Sequence, residues 1–360
     1  MTRKIEFSPD WISPPGDSIS DLLEEKGWSQ TEFALRMGYT KKHITQLISG
    51  NASLTEETAS KLELVLGGNV GFWLTREVQY REALRKKEEF ASYEKYKDWL
   101  KELPIADMIR FGWISKKQSA GERVIECLRF FGVASVDAWR GSYEKPILAF
   151  RASDKSKQKI GSVAAWLRFG ELTAGKKETV KFNERVLRSK LEKIRELTLE
   201  LSQDKFISKL ENLLAEAGVI LVIAPTPKGC PISGLTKWIS SDKALIMLSF
   251  RYKSNDHFWF TLFHEIAHVL LHRKKMLYLE TEIAAKSEEE TEADKFAGEI
   301  LIPPRSLSKL REINLEEKSI REFANELSIP AGIVLGRLQK EKSIPWNTRL
   351  NSLKVFYNWV

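Results

Sequence analysis

The chain has 360 residues, a formal net charge of +8 at pH 7, 42% hydrophobic and 29% charged residues, and two cysteines. That length exceeds one typical core and predicts two or three domains. The lack of an apolar run of about 18 residues, or of a signal-peptide core at the start, predicts a soluble cytoplasmic protein with no membrane partner. Cys127 and Cys230 lie far apart outside any C-x-x-C pattern. They argue against a disulfide framework or a thiolate zinc site and read as buried small residues.

Residues 18 to 67 hold four short amphipathic segments. Ile19, Leu22 and Leu23 give the first an apolar stripe that stops at Gly27. Ser29 caps the second, with Glu32 three residues on as a capping box, and Gly38 ends it. Thr40 opens the third, with Ile44, Leu47 and Ile48 inward; Thr55 starts the fourth, where Ala59, Leu62, Val65 and Leu66 keep helical spacing. The second and third segments, joined by Gly38-Tyr39, fit a helix-turn-helix whose third helix enters the major groove of DNA. Its outward residues Lys41, Lys42, His43, Thr45 and Gln46 are types that reach phosphates and base edges, and they give the basic excess a purpose.

Ser29-Gln30-Thr31-Glu32-Phe33-Ala34, continued through Ile48-Ser49-Gly50, resembles the repressor-type helix-turn-helix of the HigA antitoxin family. The resemblance implies an operator-binding homodimer spanning two half-sites. It places Gln30 against a backbone phosphate, with Thr40 at the start of the reading helix.

Residues 73 to 101 keep helical spacing and predict a long connecting helix, broken at Leu103-Pro104. From Ile105 to Ala217 the pattern stays mainly helical, with aromatic clusters. Arg151 and Arg168 are candidates to line a sensing pocket, although aromatic core with surface arginines fits the clusters better. After Gly218 the pattern changes to strand. Val219–Ile223 is a continuous aliphatic run, and residues 233 to 240 and 244 to 249 supply two further strands around a turn. This small sheet can offer an edge to an extended peptide.

Residues 264 to 272 read HEIAHVLLH. His264 and His268, four apart, share one helix face, and Glu265 can reach a water between them, which is the H-E-x-x-H arrangement of zinc peptidases. The helix is apolar almost all round, so it is expected to be buried, where imidazoles and a carboxylate need partners or a metal. A catalytic zinc site needs a third protein ligand. The acidic cluster from Glu288 to Asp294 offers one, because Glu290 and Asp294 share a face: one carboxylate can ligate while the other supports an imidazole.

Glu290-x-x-Ala293-Asp294-x-Phe296-Ala297, followed by Leu301-Ile302-Pro303 and preceded by Phe260-Thr261-Leu262-Phe263, resembles the ImmA/IrrE metallopeptidases, zinc enzymes that cut repressor proteins. The resemblance implies one Zn2+ per chain, held by His264, His268 and Glu290, with Glu265 as the base and Asp294 behind a ligand. Glu289 and Glu292 remain rival third ligands. His272, Tyr278 and His257 are candidate oxyanion donors.

Residues 319 to 340 form a further helix-turn-helix pattern, better explained by packing against the peptidase than by DNA contact because its outward charges are mixed. Trp346 and Trp359 are expected to anchor the terminus. The expected fold class is α+β and mainly helical. Its expected domains are an all-α helix-turn-helix domain (1–72), a helical connector and middle domain (73–217), a zincin-like metallopeptidase core with a small sheet (218–310) and a C-terminal helical segment (311–360). The expected function is a regulator that binds operator DNA and cleaves a repressor or antitoxin. The competing expectation is a non-proteolytic antitoxin and autorepressor whose metallopeptidase fold serves as a toxin-binding or metal-stabilised scaffold. Self-cleavage between residues 74 and 96 is a third.

Overall fold

The computed structural model describes residues 13–150, 157–272, 277–281 and 288–358; the side chains of 148–150, 157–159 and 277–281 lie outside the description. The chain divides into two compact units. One comprises the chain up to Lys95 with Ser119–Glu122; the other comprises Tyr96–Gln118 and everything from Arg123 on.

The first unit contains α1 (Pro15–Lys26), α2 (Gln30–Met37), α3 (Lys41–Ile48), α4 (Glu56–Leu66) and α5 (Val70–Tyr93). Side-chain caps start α2 to α5: Ser29, Thr40, Thr55 and Asn69 each accept a backbone N–H three residues on, satisfying donors that a helix start leaves open. Between α2 and α3, Gly38 takes φ +68°, a left-handed conformation that glycine adopts without steric cost. Ile19, Phe33, Ile44, Leu62 and Trp73 are wholly buried at the centre. Trp73 belongs to α5, and its Nε1 donates to Gly67 O at 3.0 Å, so the start of the expected connecting helix packs into this unit.

The expected helix over 73 to 101 ends earlier, at Tyr93, and short 3-10 turns follow at Glu94–Tyr96 and Trp99–Glu102. The aromatic core explains the change. Trp99 turns inward and meets Trp139 edge-on at 5.5 Å between ring centres, with Phe131 at 6.3 Å.

The second unit continues with α6 (Ile105–Arg110), α7 (Ala120–Phe131), α8 (Val136–Trp139), α9 (Lys145–Phe150), α10 (Lys157–Gly175), α11 (Glu184–Glu196) and α12 (Gln203–Ala215). Trp166 of α10 is wholly buried and donates to Ala224 O. Arg168 donates to Phe130 O at 2.8 Å and pairs with Glu171 at 3.0 Å. These internal bonds make Arg168 a fastener of the aromatic core, half-buried where a surface arginine is expected; Arg151 lies outside the described residues.

Three strands appear where the aliphatic runs predict them: β1 (Val219–Ile223), β2 (Ile232–Ser240) and β3 (Lys243–Leu248). A fourth, β4 (Leu277–Thr281), was not foreseen. The sheet order is β1-β3-β2-β4, with β1 parallel to β3 and the other pairs antiparallel. Helix α13 (Asn255–Leu271) carries the HEIAH residues and packs on β2 and β3. Leu262, Phe263, Ile266, Ala267 and Val269 are wholly buried, which accounts for a helix apolar on nearly every side.

After β4 come α14 (Glu288–Leu301), α15 (Leu307–Glu312), α16 (Glu317–Glu326) and α17 (Ala331–Lys340). Ile333, Val334, Leu335 and Leu338 of α17 join the core that contains α13, so the last helical pair packs against the peptidase-like core. The tail then returns to the start of α13. Lys354 Nζ lies 2.7 Å from Asp256 Oδ2 with both side chains buried, and Asn255 N donates to Val355 O. Trp346 is not the expected anchor, being 60% exposed; Tyr357 is the buried aromatic there, accepting from Trp259 Nε1 at 3.1 Å. Trp359 lies outside the described residues. No described helix is long and apolar enough to cross a membrane.

Candidate metal centre and DNA-reading helix

The 3.6-residue period puts His264 and His268 on adjacent turns of α13, with their Nε2 atoms 3.0 Å apart. Helix α14 lies alongside, and Glu290 straddles the pair: its carboxylate oxygens stand 3.1 Å from His264 Nε2 and 3.4 Å from His268 Nε2. Among the described residues these three form the cluster whose donor atoms could share one ion.

The outer nitrogens show what the inner ones carry. His264 Nδ1 is 3.0 Å from Asp294 Oδ1, so it donates its N–H there and keeps a lone pair on Nε2. His268 Nδ1 faces His272 Nδ1 at 3.1 Å. With its N–H given to His272, His268 too presents a lone pair on Nε2. Two lone pairs and a carboxylate pointed at one another repel unless positive charge lies between them.

Protons could supply that charge. With protons on the imidazole nitrogens, burial pushes the Glu290 carboxyl up, but hydrogen bonds to His264 and His268 outweigh it and hold the group down at about 2. Burial alone works against such protons, since it pulls His268 below its ordinary value. Burial likewise pushes Asp294 up, and its hydrogen bond with His264 brings it below its ordinary value. A divalent cation suits the donor set better. Two ligands about 2.0 Å from a tetrahedral zinc stand ~3.3 Å apart, close to the separation of the two nitrogens.

Glu265 is wholly buried beside them. Thr236 of β2 donates its hydroxyl to Glu265 Oε2 at 2.6 Å, which fixes the carboxylate from the sheet side. Gly234, two residues earlier, gives it room: a Cβ there would lie 2.5 Å from Glu265 Oε1.

Of the rival carboxylates, Glu292 reaches His272 Nε2 at 2.9 Å instead of the His264–His268 pair. His272 therefore has both ring nitrogens engaged, with His268 and Glu292. His257 stacks on Tyr252 at 4.1 Å between ring centres, and burial lowers its pKa. It lines the same cavity of about 650 Å³ as His264, Glu290 and Asp294. Tyr278 occupies β4 opposite Thr236, but its side chain lies outside the described residues. Arg337 and Lys340 of α17 also line the cavity, where the sequence shows only a packing pattern, and so does Trp346, expected only as an anchor of the terminus.

In the first unit, Gln30, Thr40, Lys41, Lys42, Thr45 and Gln46 are exposed. Thr45 Oγ1 meets Gln30 Oε1 at 3.4 Å, which joins the start of α2 to the face of α3. His43 is half-buried, edge-on to Tyr39 at 4.7 Å, so it is more restrained than its neighbours.

Comparison with known proteins agrees with both regions. Residues 19–73 match the helix-turn-helix family model, and residues 220–339 match the IrrE N-terminal-like domain, which extends through α17. Over 60 residues the chain is 40% identical to the uncharacterized HTH-type transcriptional regulator YddM of Escherichia coli (strain K12). That stretch is 17% of this chain and 64% of the relative, so the chain covers less than two thirds of the curated relative it matches. The chain thus carries an XRE-type helix-turn-helix domain at its N-terminal end and an IrrE-like domain of a peptidase family beyond it.

Proposed function

We propose that the chain is a transcriptional regulator that binds operator DNA as a homodimer through α3 and hydrolyses a peptide bond in a partner protein, a repressor or antitoxin, using one zinc ion. The observation that carries the reading is the convergence of His264 Nε2, His268 Nε2 and the Glu290 carboxylate beside a buried glutamate. These three would hold the ion. The chemistry such an ion supplies when bound is Lewis-acid polarisation of a carbonyl and activation of water near neutral pH.

The chain's own groups do the rest. Asp294 holds the His264 ring through its Nδ1–H. Glu265 takes the proton of the attacking water on its carboxylate and hands it to the leaving amine. Thr236 keeps that carboxylate oriented. The cavity beside His264 accepts the substrate side chains; Phe260, Leu301 and Ile302 give it apolar walls.

The test pairs metal analysis with cleavage. The purified chain should contain about one zinc, and it should cut the protein product of a neighbouring gene, while Glu265→Gln keeps the zinc and loses the cut. Zinc without cleavage of any candidate partner would move the reading to a scaffold that binds a toxin without proteolysis. Metal content unchanged in His264→Ala would remove the centre itself.

A further inference from the structure

Three histidines follow one another at four-residue intervals, His264 and His268 on α13 and His272 at its C-cap, and only the first two belong to the proposed donor set. His272 is nonetheless buried, and it is held at both ends. Its Nδ1 is 3.1 Å from His268 Nδ1, and its Nε2 is 2.9 Å from Glu292 Oε2. Glu292 is 59% exposed at its side chain and stands on the first turns of α14.

A carboxylate only accepts, so His272 donates to it from Nε2–H. A neutral imidazole has a single N–H, which leaves an acceptor on His272 Nδ1. The contact between the two Nδ1 atoms is then a hydrogen bond only if His268 donates. That donation places the lone pair of His268 on Nε2, facing His264 and Glu290. His264 reaches the same state by a shorter route, through Asp294 directly.

We infer that Glu292 and His272 form a relay that sets the tautomer and ring orientation of His268, and are thus positioning residues for the metal centre. This rests on the zinc reading of His264, His268 and Glu290. Partners of this kind, behind a ligating imidazole, are worth about 10- to 100-fold in metal affinity.

The test uses the full chain and zinc. Zinc affinity is measured by competition with a chromophoric chelator in the parent, His272→Phe, His272→Gln and Glu292→Ala. His272→Phe keeps the volume and removes both bonds, and should weaken zinc about 10- to 100-fold. His272→Gln, whose amide oxygen can accept from His268 Nδ1, should recover most of the loss. Glu292→Ala alters a surface group and should weaken zinc in the same direction, so it decides the matter if His272→Phe does not fold. In parallel, long-range nitrogen–proton NMR of the imidazoles in the metal-free parent should show His268 protonated on Nδ1. Parent-like affinity in His272→Phe and Glu292→Ala, or a His268 protonated on Nε2, would overturn the relay. A parent chain that binds no zinc would defeat the metal reading instead, and the NMR tautomer would still judge the relay.

Discussion

Gly234 and Glu265 are matched across the interface between β2 and α13: the space a Cβ would occupy at Gly234 is 2.5 Å from Glu265 Oε1 and 2.5 Å from Thr261 Cγ2. Gly234 is paired with Leu248 of β3, and α13 lies over it. Gly234→Ala should therefore displace the proposed base. Peptide-bond cleavage should fall by at least ten-fold, with a stability loss of about 1–3 kcal/mol from overpacking. Parent-like kcat/KM in a folded Gly234→Ala protein would show that the carboxylate position is unimportant.

Metal removal should loosen the second unit. Without a cation, the two imidazole lone pairs and Glu290 face one another at 3.0–3.4 Å. A ligand present at a thousand times its Kd stabilises by about 4 kcal/mol. Calorimetry should accordingly show a lower Tm for the second transition after chelation, restored by zinc. His264→Ala should melt at the same temperature with and without zinc; a zinc-dependent rise in that variant would place the ion elsewhere.

Alkaline pH should destabilise the protein through two buried groups. Burial pushes the Cys127 thiol from its ordinary 9.0 up to about 12, and the Tyr357 phenol from 10.0 up to about 12. Both are acids whose folded pKa exceeds the unfolded one, so the unfolded state releases the proton first. Their contribution is complete below about pH 9 and is lost as pH rises from there to 12. Denaturant midpoints at pH 8 and 10.5 should differ, and the difference should shrink in Cys127→Ala. A thiol reagent at pH 8 should leave Cys127 unmodified in the folded chain; rapid modification would contradict its burial.

Two of the α3 side chains proposed to face DNA, Lys42 and Gln46, should behave differently. Lys42 is an exposed cation suited to phosphate, so Lys42→Ala should weaken all DNA sequences alike and reduce the salt slope by about 1. Gln46 is suited to a base edge, so Gln46→Ala should relax sequence preference at one position, at a cost of about 1–3 kcal/mol. Titrations of operator and scrambled duplexes at several salt concentrations separate the two. Equal effects on both duplexes from both variants would deny α3 a reading role.

The sequence disclosed those features that local chemistry writes down. Ser29, Thr40 and Thr55 announce helix starts, and each caps as its type suggests. Three strands are legible as aliphatic runs. HEIAH is legible because helical spacing alone brings its imidazoles together, and Glu290 stands out in the acidic run through its spacing from Asp294. Contacts between distant segments were less visible. Thr236 and Gly234 meet Glu265 only because β2 lies under α13, and a lone threonine or glycine in a strand carries no sign of that. Residues 277 to 281 lacked a long β-branched run and pair with β2 at the edge of the sheet, so β4 escaped notice. His272 is visible in the sequence, but its contact with Glu292 depends on where α14 lies, which spacing along one helix does not tell.

The return of the tail to Asn255 and Asp256 makes the last residues part of the foundation of the peptidase-like centre. Lys354 neutralises a carboxylate in the first turn of the helix that carries His264, and Gly336 of α17 packs against that same carboxylate. A chain cut after α17 would take Lys354 away from Asp256 and remove the Val355 carbonyl that accepts from Asn255 N. The helix start would then shift or hydrate. Shortening the protein at residue 339, where the matched domain ends, would thus damage a site whose first histidine is residue 264, with every residue of HEIAH still in place.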